Sequence, residues 1–231
     1  MDYMEKNKDL WDQHFANTNL DYPNETVVRF LAKCKNWYPN GVLLDWGCAT
    51  GRHTTVGCRF GFQVIAADYV EHCVEVTREK VKRNCNDMPG NVLQYVVNKG
   101  VDIEEVDAVS VDAIIAWGVL FYNTLDKQRD MINNMYRMLK SGGRAFCDFR
   151  TEYDSICQQA KEQIAEDTYI IPPNSRLLEG ACVTISKLDK LEAMLKSCGF
   201  EIEFIEKYEF TEDNQQHINS WWHVTLLKPE K

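Results

Sequence analysis

Short, nearly unbroken apolar runs alternate with amphipathic helical segments along this chain, and that alternation restricts its fold more than any other feature. The runs are Gly41–Trp46, Phe62–Ala67, Val92–Val97, Asp112–Trp117, Arg144–Phe149, Phe200–Ile205 and Trp221–Leu227. Continuous apolar character is expected of strands covered on both faces. Between the runs, apolar residues recur at helical spacing: Val27, Phe30, Leu31 and Cys34 after Asn24; Met131, Met135, Met138 and Leu139; Leu188, Leu191, Leu195 and Cys198. Ser141-Gly142-Gly143 is expected to stop the second of these helices and Gly199 the third. Strand, helix, strand, helix predicts an α/β fold, a parallel sheet with helices on both faces.

A chain of 231 residues suits a single domain over 1–231, and 45 % apolar with 26 % charged residues is ordinary for a globular chain. Lys and Arg number 26 against 35 Asp and Glu, a net charge of −9. That balance opposes nucleic-acid binding, which needs clustered cations against phosphate. No run reaches bilayer-spanning length, and no apolar segment follows the charged start, so neither a membrane span nor a signal peptide is expected. The nine cysteines are scattered without a C-x-x-C pair. They predict no metal site and no disulfide framework, and a reducing cytoplasm. Two segments break the alternation. Residues 1–23, with Tyr3, Trp11, Phe15 and Tyr22, are expected to form an N-terminal helical lid. Residues 150–186, with Pro172-Pro173-Asn174, are expected to form a substrate-side insertion. The acidic run Asp102–Asp107 reads as solvated surface.

The stretch Val42-Leu43-Leu44-Asp45-Trp46-Gly47-Cys48-Ala49-Thr50-Gly51-Arg52-His53 is the most informative. A buried strand ends at an acid, and a turn of small residues leads into a helix whose first amides are unpaired. Twenty-one positions beyond Gly47, the second strand ends in Asp68, placed to accept from both hydroxyls of a ribose. Together these features point to a nucleoside-containing cofactor. The dinucleotide pattern G-x-G-x-x-G fails, because Arg52 occupies the place of its last glycine. D-x-G-x-G/A-x-G fits Asp45 through Gly51.

With those motifs the chain resembles the class I S-adenosylmethionine-dependent methyltransferases over nearly its whole length. Asp112–Trp117 matches the family's fourth strand, and Leu139-Lys140-Ser141-Gly142-Gly143-Arg144 its L-K-P-G-G turn, with Ser for Pro. The resemblance implies a Rossmann-like, seven-stranded, mostly parallel sheet with the last strand antiparallel, and S-adenosyl-L-methionine as cofactor. It implies that Asp45 anchors the turn and the methionine amino group, and that Gly47, Cys48, Ala49 and Gly51 line the cofactor. Asp68 would hold the ribose, Tyr69 and Asn98 would meet the adenine, and Trp117 and Gly118 would face the methyl donor and acceptor. Asn98 stands where the family often has Asp; its carbonyl can accept the same bond.

The family's chemistry is an in-line attack on the sulfonium methyl, helped by positioning and, for a weakly acidic acceptor, by a base. His53 and His217 are the candidate bases; local packing is the competing reading for His53. Arg150 is the candidate contact to an anionic acceptor, with an ion pair to Asp148 or Glu152 as its alternative. Tyr22 or Trp11 would close on the sulfonium from the lid. D/N/S-P-P-Y/F/W is missing after the fourth strand, and no Pro-Cys pair exists, which argues against nucleic-acid methylation. A small-molecule acceptor methylated on O or N is expected, in a monomer or homodimer. Tyr22-Pro23 with Gly51-Arg52-His53 is similar to a bacterial subgroup acting on surface-glycan or nucleotide-linked intermediates. Two other readings stay open. One is an NAD(P)-dependent oxidoreductase, which Arg52 opposes. The other is a cofactor-binding subunit without activity.

Overall fold

The computed structural model describes residues 3–230. Helix α1 (Tyr3–Phe15) precedes α2 (Glu25–Trp37), which opens where the Asn24 side chain accepts from the Thr26 amide at 2.9 Å. Then follow β1 (Val42–Trp46), α3 (Arg52–Phe60), β2 (Gln63–Asp68), α4 (Glu71–Asn84), β3 (Asn91–Val97) and β4 (Val111–Ala116). A 3₁₀ turn, Leu120–Tyr122, leads to α5 (Leu125–Met138) and the long β5 (Leu139–Thr151). After β5 come α6 (Ile156–Gln159), β6 (Gln163–Ala165), β7 (Thr168–Ile170) and β8 (Cys182–Ser186). Helix α7 (Leu188–Ser197), β9 (Glu201–Glu212) and β10 (His217–Leu227) close the chain.

The main sheet runs β3-β2-β1-β4-β5-β10-β9, parallel from β3 to β5, with β10 antiparallel to both β5 and β9. All seven apolar runs are therefore strands, in the expected Rossmann-like α/β arrangement. Leu44, Ile114, Phe149, Met131, Met135 and Leu195 pack one face beneath α5 and α7; Leu43, Phe146, Val27, Leu31 and Val56 pack the other beneath α2 and α3. Among the described residues no helix is long and apolar enough to cross a membrane.

Several expectations need correction. The sheet gains three strands inside residues 150–186, so among the described residues the strands number ten rather than seven. Strand β10 occupies one edge of β5 as far as Arg150, so β8, which pairs in parallel with Arg150 and Thr151, must continue the other edge beyond the end of β4. Helix α5 stops at Met138, ahead of the glycines. Lys140–Gly143 bulge out at the start of β5, where the register steps from Val111↔Leu139 to Ala113↔Arg144. Strands β9 and β10 extend well beyond the apolar runs Phe200–Ile205 and Trp221–Leu227, so residues 209–220 are mostly the arms of a hairpin. The acidic run is only partly solvated, since Ile103 and Val106 are buried in the core and Arg137 donates to Asp102 at 2.9 Å.

Candidate functional site

The C-terminal ends of β1, β2, β4 and β5 converge on a cavity of about 320 Å³. Its floor is the turn after β1. The Gly47 and Cys48 amides both donate to the Ala67 carbonyl, at 2.8 and 3.0 Å, folding the turn over the end of β2. Gly47 has φ +78°, and a Cβ there would stand 2.3 Å from Val119 Cγ2, so only glycine fits. Asp45 lies beneath the turn, accepting from Thr54 Oγ1 at 2.6 Å and tying β1 to α3. Burial raises its pKa to about 6, against the Thr54 hydroxyl.

Asp68 and Asn98 form the polar end of the cavity. The Asp68 carboxylate accepts from the Ala49 amide through Oδ2 and from the Val70 amide through Oδ1, each at 2.9 Å. Burial lifts its pKa to about 6 even so. Asn98 donates through Nδ2 to the Gly100 carbonyl at 2.9 Å, while its buried Oδ1 has no partner. An orphaned, fixed acceptor in a cavity wall is where a ligand's N–H group gains most. Tyr69 lies alongside, its phenol held protonated by burial.

The opposite end is aromatic. Trp117, Phe121, Tyr122 and Trp221 line it, and the Arg150 guanidinium lies between Trp221, 4.1 Å from its ring centroid, and Phe121, at 5.2 Å. Arg150 pairs with buried Asp154 at 2.5 Å, and its Nε is buried without a partner. Asp148, two residues earlier on β5, accepts from the Gly118 amide through Oδ1 at 2.7 Å. Burial lifts its pKa to about 7, against the Gly118 amide and the charges of Arg150 and Arg52. Helix α1 adds Asn7, Trp11, His14 and Phe15 to the lining. Asn7 holds the helix in place, donating to the Tyr122 carbonyl at 2.8 Å and accepting from the Cys182 amide at 3.2 Å. Leu20, also in the lining, is clamped where Lys80 donates to its carbonyl at 2.6 Å and Thr50 Oγ1 accepts its amide at 2.9 Å.

Residues 43–143 match the family model described as a methyltransferase domain. Over those residues the chain is similar to methyltransferase domains. No curated protein sequence matches it. Among solved structures, it is similar to an S-adenosylmethionine-dependent methyltransferase from Methanosarcina mazei. The TM-score is 0.68 at 15 % identity, covering 91 % of this chain and 100 % of that one. The 1,6-didemethyltoxoflavin N1-methyltransferase of Burkholderia thailandensis, solved with that compound and S-adenosylhomocysteine, gives 0.61 at 14 % identity, covering 89 % and 78 %. The magnesium protoporphyrin IX methyltransferase of Synechocystis, solved with S-adenosylmethionine, gives 0.58 at 16 %, covering 87 % and 76 %.

Of the residues singled out in the sequence, the fold brings Gly47, Cys48, Ala49, His53, Asp68, Tyr69, Asn98, Trp117, Gly118 and Arg150 to one cavity. Asp45 and Gly51 sit behind it: Gly51 opens α3 at φ +83°, close against Thr77. Tyr22 is 87 % exposed and outside the cavity; only its carbonyl is engaged, by Arg52. His217 pairs with Glu212 near the hairpin tip, away from the lining. His53 lines the cavity, but its Nε2 accepts the Asn24 amide at 3.2 Å and burial lowers its pKa to about 3. A histidine whose lone pair is already engaged does not serve as a base. Of residues 150–186 only Arg150 reaches the lining; Ile156, Ile171, Val183 and Ile185 pack behind Phe121 and Tyr122. Sequence reasoning missed Asp148 as a site residue, and with it Asn7 and Trp221. The one available signal for Asp148 was an acid at the end of a buried strand.

Proposed function

We propose that this protein transfers a methyl group from S-adenosyl-L-methionine to oxygen or nitrogen of a small molecule held at the aromatic end of the cavity. The observation that carries this reading is one continuous cavity joining the Asp68–Asn98 end to the Arg150–Trp221 end. The residues fit the cofactor: Asp68 for the ribose hydroxyls, the orphaned Asn98 Oδ1 for the adenine amino group, and the glycine turn for close backbone approach. When bound, the cofactor supplies an electrophilic methyl on sulfonium. The protein's own part is to align the acceptor and exclude water, which suits a site walled by Trp11, Phe15 and Trp117.

Two of the similar structures are methyltransferases of small molecules, 1,6-didemethyltoxoflavin and magnesium protoporphyrin IX. An acceptor of that kind would lie against the cavity's aromatic wall of Trp117, Phe121 and Trp221. Asp154 balances the charge of Arg150, so Arg150 Nε favours an oxygen of the acceptor, carboxylate, phosphate or carbonyl alike. Sugar- and nucleotide-linked compounds belong in the same screen. Residues 1–23 act as a lid through α1 and Leu20, and 150–186 brace the acceptor wall from behind. The unbridged cysteines suit a reducing cytoplasm.

Titration of S-adenosylhomocysteine into Asp68→Ala tests the cofactor end. Losing one or two charge-assisted bonds should weaken binding by about 1.5–3 kcal/mol each. Unchanged affinity would overturn the assignment of Asp68.

A further inference from the structure

We propose that Asp148 is the base of the transfer, the carboxylate that receives the proton of the acceptor's nucleophilic O–H or N–H. This rests on the cofactor reading above. Asp148 is 1 % exposed, lines the cavity at the end of β5, and accepts the Gly118 amide through one oxygen. Its other oxygen takes no hydrogen bond from another residue among those described, and no ion pair includes it. Arg150, its neighbour on the strand, is turned to Asp154 instead. A buried carboxylate with a free oxygen, beside the turn that follows β4, therefore stands at the junction of the cofactor and acceptor ends.

Of the other titratable groups in the lining, His14 sits on α1 with its pKa lowered by burial, and four more are engaged or held neutral. Asp68 uses both oxygens on backbone amides, and His53 uses Nε2 on Asn24. Burial keeps the Tyr69 and Tyr122 phenols protonated. The charged and titratable groups around Asp148 are Arg52 on α3, Arg150 with its partner Asp154, Tyr122 in the 3₁₀ turn, and His223, its register partner on β10. Burial lowers the His223 pKa to about 4, so the imidazole is neutral at pH 7. The Asp148 pKa of about 7 matches the operating range of a general base.

The step balances. As the acceptor's oxygen or nitrogen forms its bond to the methyl carbon, the C–S bond breaks and its electron pair stays on sulfur, leaving a thioether. The acceptor's proton passes to Asp148, which ends neutral and releases it to solvent.

Sinefungin, the cofactor analogue with C–NH₃⁺ in place of S–CH₃⁺, puts a cation at the reacting position and gives a binding readout that needs no acceptor. The quantity to measure is the ratio of sinefungin to S-adenosylhomocysteine affinity in the wild type and in Asp148→Asn. The asparagine keeps an acceptor for Gly118. We expect the ratio to fall about tenfold or more in the variant, with S-adenosylhomocysteine affinity unchanged. In the wild type the ratio should also fall as pH drops from about 8.5 to about 5.5 and the carboxylate protonates, while the variant stays flat. An equal ratio in both proteins overturns the assignment. Should the variant not fold, a flat wild-type profile over that range overturns it. Absence of S-adenosylhomocysteine binding to the wild type would instead remove the cofactor reading, and this proposal with it.

Discussion

His53 sits in the first turn of α3, 4 % exposed, and accepts the Asn24 amide through Nε2. Its pKa falls from 6.5 in the unfolded chain to about 3 in the fold. The folded state therefore resists protonation, and the stability it contributes is intact above pH 6.5 and lost as pH falls toward 3. In His53→Gln that loss should disappear. Relative to the variant, the wild type should lose up to about 1.4 kcal/mol per pH unit below 6.5, read from urea denaturation at about pH 7 and about pH 4.5. A constant difference between the two proteins would show that His53 titrates normally. The glycines of the site separate two effects of a side chain. Gly47→Ala meets both φ +78° and the Val119 methyl at 2.3 Å, whereas Gly118→Ala meets only φ +70°, with nothing within 4 Å. The second should cost about 1 kcal/mol and the first clearly more, by the same denaturation assay.

The N-terminal segment is held by few bonds, which makes it separable from the sheet. Lys80, 4 % exposed on α4, donates to Asn19 Oδ1 at 2.8 Å and the Leu20 carbonyl at 2.6 Å, and pairs with Asp21 at 2.9 Å. Lys80→Met should speed hydrogen exchange in residues 18–22 by about tenfold or more and cost about 1–2 kcal/mol of stability. Exchange confined to its wild-type rate would mean that Thr50 alone holds Leu20. At this scale the sequence was readable wherever burial on both faces makes a strand continuously apolar. It was less readable at β6 and β7, three residues each, too short to show a period. The outer arm of β9 was missed for another reason. Phe204, Glu206, Tyr208 and Phe210 all lie on one side of an exposed edge strand, so polar and apolar residues do not segregate by face.

At the scale of the molecule, the Asp68–Asn98 end of the cavity is built from local sequence: the seven residues Asp45 through Gly51 and the acid that ends the next strand. The acceptor end joins residues far apart in the chain, and no local pattern announces them. Asp148 reaches Gly118, Arg150 lies between Phe121 and Trp221, and Asn7 bridges Tyr122 and Cys182. Arg150 lines the cavity, and its partner is Asp154, a residue whose turn back toward the strand only the fold reveals. The same division sets which claim to test first, since the acceptor end has meaning only if the cofactor end binds an adenosyl group. Calorimetric titration of the wild-type protein with S-adenosylhomocysteine, and separately with NAD and NADP, does this directly. Binding of S-adenosylhomocysteine alone, at about micromolar affinity or tighter, is the expected result. Preference for a dinucleotide, or no binding of S-adenosylhomocysteine, would contradict it.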